Sequence, residues 1–396
     1  MKNLVKSPRR LASPRRSEGV SPPFSPVVAT PARVASSRRR FLAYASLAAP
    51  GLGFLTDSRA EGAPARVAFV YVSPVADAGW THQHDLGRQA MERTLGQRVT
   101  TRTVANVAEG PDAERVIRDL ATQGFELIFA TSFGYLEPAL RVARDFPAVR
   151  FEHAGGYKLA TNLATYNARF YEGRFLAGML AGGMSKSNTL GYVAGFPIPE
   201  VIQGINAFVL GARKINPQAN LRIIWTNTWY DPGREAAATD TLVKAGADVV
   251  THHTGSSAVP RAAEAAGIWA VGYHSDMRAA APRHHLVSVT HHWGRYYTDR
   301  VQALLADNWH SAATWGSMTQ GFVSLQGLSP AVPTALREQV EAAQAALQAG
   351  RLSPFAGPVR DNEGQIRIPA GTELSDGEIM TMNWLTEGIK AARLSN

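Results

Sequence analysis

The chain has 396 residues, 45% hydrophobic and 18% charged, an ordinary globular mix long enough for two domain-sized cores. Its net charge of +9 belongs to the first 60 residues, where eleven Lys or Arg face only Glu18 and Asp57; the neutral body lacks the basic face that nucleic acid demands. With no cysteine, a disulfide frame, a thiolate metal site and a cysteine nucleophile are excluded, and no lipid anchor on an N-terminal cysteine is expected.

The first predicted element is a leader over 1–60, with an extended basic n-region. Ser37-Arg38-Arg39-Arg40-Phe41-Leu42 is a twin-arginine pattern, Ala43 to Leu55 is an apolar run, and Ser58-Arg59-Ala60 offers a small-x-small cleavage site. The apolar run is too short to span a bilayer, so the expected product is an exported, periplasmic chain. A buried core helix behind a basic tail is the plainer alternative.

From Arg66 onward β-branched or apolar runs alternate with helical patterns: Val67 to Val72 then Leu86 to Leu95, Val99 to Val104 then Ala113 to Thr122, Leu127 to Ala130 then Leu136 to Phe146. Strand, helix, strand with short turns marks a parallel sheet covered on both faces. The alternation restarts after Asn167, through helices at 170–184 and 200–215 and strands at 190–194 and 221–225, to a strand at 286–290. A helix to Asn308, short strand-like pieces around Trp315 and Phe322, an alanine-rich helix at 334–349 and a closing helix at 378–392 complete the expectation. The fold class is therefore α/β, with two doubly wound parallel-sheet lobes. In such folds ligands sit beyond the carboxyl ends of the strands, which directs attention to 73–81, 131–135, 226–231, 252–257 and 273–276.

Those segments carry a resemblance. The pieces, in order, are Tyr71-Val72 to Trp80, Glu172-Gly173-Arg174-Phe175-Leu176-Ala177-Gly178, Gly191-Tyr192-Val193-Ala194-Gly195 and Asn206-Ala207-Phe208-Val209-Leu210-Gly211-Ala212. Trp229-Tyr230-Asp231-Pro232, Val271-Gly272-Tyr273-His274-Ser275-Asp276 and Met382-Asn383-Trp384 follow. Over roughly 66–392 the chain resembles the basic membrane protein family of ABC-transporter substrate-binding proteins, whose best-known members are purine nucleoside receptors. The resemblance implies a type I periplasmic-binding fold with three crossovers: lobe 1 from 61–167 plus 291–309, lobe 2 from 168–290 plus 310–396. It also implies an ABC permease as partner, and the chain is read as a monomer with no cofactor.

A purine is flat, weakly hydrated on its faces and polar at its edge, so a receptor needs aromatic plates and a few edge partners. The resemblance puts Trp80 at the first stacking position and Trp229 at the second, from opposite lobes; partly buried packing is the alternative for each. Asp276, at the end of a predicted strand, is expected to point into the cleft and accept from a base edge, or else to cap a helix or pair in the hinge. Asp77 resembles the family's first-loop aspartate, with a helix-capping alternative, and Thr81 stands where an asparagine is usual. His274 and His291 replace the acidic residue and the lysine that hold ribose hydroxyls in nucleoside-binding members. The reading therefore favours a free base such as adenine over a nucleoside.

Two other classes compete with this one. Histidine pairs at 82 and 84, 252 and 253, 284 and 285, and 291 and 292 suggest metal binding, but adjacent strand residues face opposite ways and no metal-ligand spacing is present. A nucleoside hydrolase would share the cleft, yet no nucleophile elbow, Walker loop or aspartate cluster occurs. A binding protein without catalysis is expected.

Overall fold

The computed structural model describes residues 62–390. The expected twin-arginine leader lies outside them, as does the end of the predicted closing helix.

In chain order the first half runs β1 (Ala65–Val70), α1 (Trp80–Leu95), β2 (Val99–Val104), α2 (Pro111–Thr122), β3 (Leu127–Ala130), α3 (Leu136–Asp145), β4 (Arg150–Ala154) and β5 (Leu163–Ala168). Next come α4 (Phe170–Met184), β6 (Thr189–Ala194), α5 (Pro199–Ile215), β7 (Asn220–Trp225), α6 (Pro232–Lys244), β8 (Val249–His253), α7 (Ala258–Ala266), β9 (Trp269–His274) and β10 (His285–His291). The remainder is α8 (Gly294–Leu305), β11 (Ala313–Gly316), β12 (Val323–Gln326), α9 (Thr334–Gln348), β13 (Val359–Arg360), β14 (Ile366–Ile368), α10 (Asp376–Met380) and β15 (Ile389–Lys390).

Among the described residues the strands build a six-stranded sheet, ordered β11-β5-β4-β3-β1-β2, and a seven-stranded one, ordered β12-β10-β9-β8-β6-β7-β15. Within the two sheets every pairing is parallel except β10 with β12. Buried on both faces, β1 and β3 read as near-continuous apolar runs, AxVAFV and LIFA, as parallel strands do. This is the α/β, two-sheet architecture expected.

Three passages join the lobes. The chain leaves the first sheet between Ala168 and Phe170 and returns between His291 and Gly294, where α8 packs on α1 and β1. The third passage differs from expectation. It was placed near His310, with all of 310–396 in the second lobe, but β11 pairs in parallel with β5 through Ala313 to Gly316. The crossing therefore falls between Gly316 and Val323. An edge of four residues is decided by the open hydrogen-bonding groups of β5, which no local pattern reveals.

β4 and β5 also escaped the sequence reading. β4 reads RFEHA, and its Glu152 and His153 are fully buried. Glu152 is a tolerable core residue only because Tyr296 donates to it at 2.7 Å, Trp309 Nε1 at 2.8 Å, and the Arg300 guanidinium pairs with it. These partners lie about 150 residues away and fasten the returning segment to the first sheet. The predicted closing helix is a further correction: α10 spans five residues behind a Ser375/Glu378 capping box, and the chain then extends to pair β15 with β7.

The second lobe is centred on α4 against α5. A Cβ on Gly178 would lie 2.0 Å from the Phe208 carbonyl oxygen, and one on Gly211 1.9 Å from that of Phe175, so the glycines in both recognised motifs set a close helix approach rather than a ligand contact.

Candidate ligand-binding site

Each sheet has one point where strand order reverses. In the first sheet it lies between β1 and β3, and in the second between β6 and β8. Loops leaving adjacent strands at such a point diverge to opposite faces and open a crevice at the carboxyl ends. The two crevices meet in one cavity. From the first lobe it takes Val72 and Ser73 after β1, Ser132 and Phe133 after β3, and Ala154 at the end of β4. From the second it takes Ile198 and Glu200 after β6, Trp229 after β7, Thr254 after β8, and His253 and His274 at strand ends.

Trp80 and Trp229 both line this cavity. Trp80 opens α1, and its Nε1 donates to the Thr131 carbonyl of the same lobe at 2.7 Å. Its ring is wedged edge-on against His84 (centroids 4.3 Å apart), His274 (5.4 Å) and His291 (5.9 Å). Trp229 sits against Phe196 at 4.8 Å, and its Nε1 donates across the cleft to Glu109 Oε1 at 3.1 Å. Further contacts cross at the rim: the Gly79 amide donates to Ser275 Oγ at 2.8 Å, and a Cβ on Gly79 would lie 1.9 Å from the Gly255 carbonyl oxygen. Gly79 itself has φ 102°, so both its backbone and its missing side chain are required there.

The edge groups are few. Glu200, in the first turn of α5, accepts from Asn167 Nδ2 at 2.7 Å and lies 3.5 Å from His253 Nε2. Burial lowers the pKa of His253, partly offset by Glu200, and burial holds His274 well below the usual imidazole value. Both rings are therefore neutral near pH 7. Their Nδ1 atoms are buried and have no hydrogen-bond partner among the described residues. A neutral imidazole can accept or donate at such an atom, and a buried polar atom left unmatched is unfavourable. His274 also adopts φ 72°, a left-handed conformation rarely taken by residues with a Cβ. Behind this wall, buried Glu235 accepts from Thr254 Oγ1 at 2.9 Å and Ser256 Oγ at 2.6 Å and so shapes the 254–257 loop.

With that geometry in view, residues 65–351 match the model of the PnrA-like ABC transporter substrate-binding proteins. The chain belongs to this family. It is 44% identical over 324 residues to a purine-binding protein of Brucella abortus, across 82% of this chain and 92% of that one. It is 38% identical over 303 residues to a Haloferax volcanii protein bearing the name of an ABC transporter glucose-binding protein, across 76% and 77%. A solved ABC transporter solute-binding protein from Aeropyrum pernix K1 shares the fold at TM-score 0.64 and 18% identity, over 74% of this chain and 94% of that one. Proteins of this kind bind small ligands and work with membrane permeases. Among the described residues no helix is long and apolar enough to cross a membrane, and no group of three or more His, Asp or Glu is placed to hold a metal ion.

In this family member the residues singled out in the sequence divide. Trp80, Trp229 and His274 come together at the cavity. Asp276 does not line it: Arg278 takes the carboxylate through Nε at 2.9 Å, Nη2 at 2.7 Å and its backbone amide at 3.1 Å. The carboxylate is thus engaged by a guanidinium two residues along the chain, an ion pair in place of the expected base-edge contact. Asp77 turns to the rim, paired with Arg261 at 2.6 Å across the lobes, and does not cap α1, which has no side-chain cap. Thr81 is buried with its hydroxyl 2.7 Å from Ser73 Oγ. His291 is fully buried behind the cavity, 4.2 Å from the Phe170 ring and nearly parallel to it. Glu200 and His253 also line the cavity and were not among the expected site residues, although they lie just after or at the end of a strand.

Proposed function

We propose that this chain captures a purine, most simply a free base such as adenine, between Trp80 and Trp229 and delivers it to an ABC permease without chemical turnover. The observation that carries the reading is the pairing of two tryptophans from opposite lobes on one cavity whose polar groups are confined to Glu200, His253, His274 and a few hydroxyls. Stacking on an aromatic ring is worth about 1 to 3 kcal/mol per base and is available to any purine face. Glu200 is the acceptor suited to an exocyclic amino group, and neutral His253 and His274 suit ring nitrogens. The purine-binding name of the Brucella relative supports the same ligand class. Neutral His274 replaces the charged group expected for a ribose, which favours the base over the nucleoside. With the leader removed after Ala60, the site of action is the periplasm.

A sugar is the second reading, favoured by the name of the Haloferax relative. Titration calorimetry of the mature chain against adenine, guanine, adenosine, glucose and zinc decides among these. Saturable adenine binding with no product is expected. Glucose or zinc binding with no response to any purine overturns the reading, preference for adenosine overturns only the base assignment, and product formation moves the protein to the enzymes.

A further inference from the structure

Glu109 lies in the loop between β2 and α2, and one of its oxygens serves both lobes. Oε1 accepts from the Ser132 hydroxyl at 2.6 Å and from the Gly134 amide at 2.8 Å, both within the first lobe. The same oxygen accepts from Trp229 Nε1 at 3.1 Å, across the cleft. The seat is cut to fit, since a Cβ on Gly134 would lie 2.4 Å from the Glu109 carboxyl carbon. Indole is a donor only, and Trp229 Nε1 has no other acceptor among the described residues. Trp80 is mounted differently, its Nε1 satisfied inside its own lobe by the Thr131 carbonyl.

We propose that Glu109 is the positioning residue for the second plate. Its carboxylate, preset by Ser132 and Gly134, captures Trp229 Nε1 as the lobes meet, fixes the ring against the cavity and slows reopening. The bond is charge-assisted, and such bonds are about twice as strong as neutral ones. Because the contact forms only across the cleft, its loss should act on release more than on capture. Ser132 also lines the cavity, so the same carboxylate steadies a wall of each lobe.

This inference rests on the purine reading, and the test separates the two. Glu109→Gln, Trp229→Phe and the double variant are compared by stopped-flow adenine release and by calorimetry. Trp229→Phe keeps an aromatic plate and deletes the N–H donor. Glu109→Gln should speed release about 3- to 10-fold with association little changed, and the same substitution should change release less than about 2-fold in the Trp229→Phe background. Equal effects of Glu109→Gln in both backgrounds overturn the proposal, because they place its action in the Ser132–Gly134 loop. If the wild type takes up no purine, the purine reading fails by itself. The cycle is then read on release of whichever other ligand of the calorimetry panel binds, where strict additivity overturns the latch and coupling upholds it.

Discussion

The two tryptophans that face the cavity are mounted in opposite ways. Trp80 is part of a packed aromatic and imidazole wall, tied to its own lobe through Thr131 and braced by His84, His274 and His291. Trp229 stands on a loop after β7, with Phe196 beside it and its one polar bond reaching into the other lobe. The polar bond of one plate stays within its own lobe, and that of the other crosses the cleft. The lesson is that both rings touch both lobes, Trp80 through the edges of His274 and His291 and Trp229 through its N–H, so the meeting of the lobes and the shape of the cavity are joined at each plate.

The contrast is broken most directly by truncating each ring. Trp229→Ala should weaken adenine binding about 10- to 100-fold with little change in thermal midpoint, whereas Trp80→Ala should weaken binding at least as much and also destabilise the fold by about 2 kcal/mol or more. Calorimetry and thermal unfolding check both, and equal stability losses at the two sites would erase the distinction.

Acid sharpens it next. Burial holds His84, His274 and His291, all touching Trp80, well below the usual imidazole value, and lowers His153 to about 4 and His252 to about 3. In the unfolded chain these groups titrate near 6.5, so below that pH the unfolded state binds more protons. Stability is then full above about pH 7 and is lost as pH falls through about 6.5 toward the depressed folded values. The thermal midpoint should drop steeply between about pH 7 and 5, and a flat profile would contradict the neutral-wall account.

The smallest effects belong to the rim. Asp77 and Arg261 pair across the lobes, but both side chains are more than half exposed, and such pairs contribute about 0 to 1 kcal/mol. Arg261→Ala should cost no more than about 5-fold in affinity, less in high salt. Asp276→Asn should leave adenine affinity within about 2-fold, and a larger loss would restore Asp276 to the ligand shell.

How much of this was legible in the chain can be traced residue by residue. The apolar runs at 67–72 and 127–130 and the helical patterns between them are local signals, and they specified the α/β class. Position after a strand pointed to the segments that hold Trp80, Trp229 and His274, because a parallel sheet fixes where its loops go, and the family resemblance singled out these residues within them. Asp276 obeyed the same rule and still turned away, since Arg278 was nearer. β4 hid because Glu152 and His153 look like loop residues until Tyr296, Trp309 and Arg300 close around the glutamate.

The sequence by itself therefore determined what short-range periodicity and family motifs can encode: two wound sheets, a cleft at their strand ends, and an aromatic from each side. Only the tertiary structure decided which polar groups meet there. Glu200, His253 and Asn167 are drawn together from a helix and two different strands, β11 joins the first sheet through β5, and Glu109 reaches Trp229, 120 positions further along the chain. Those choices depend on competition among distant partners for the same hydrogen bonds, which a local stretch of chain does not contain.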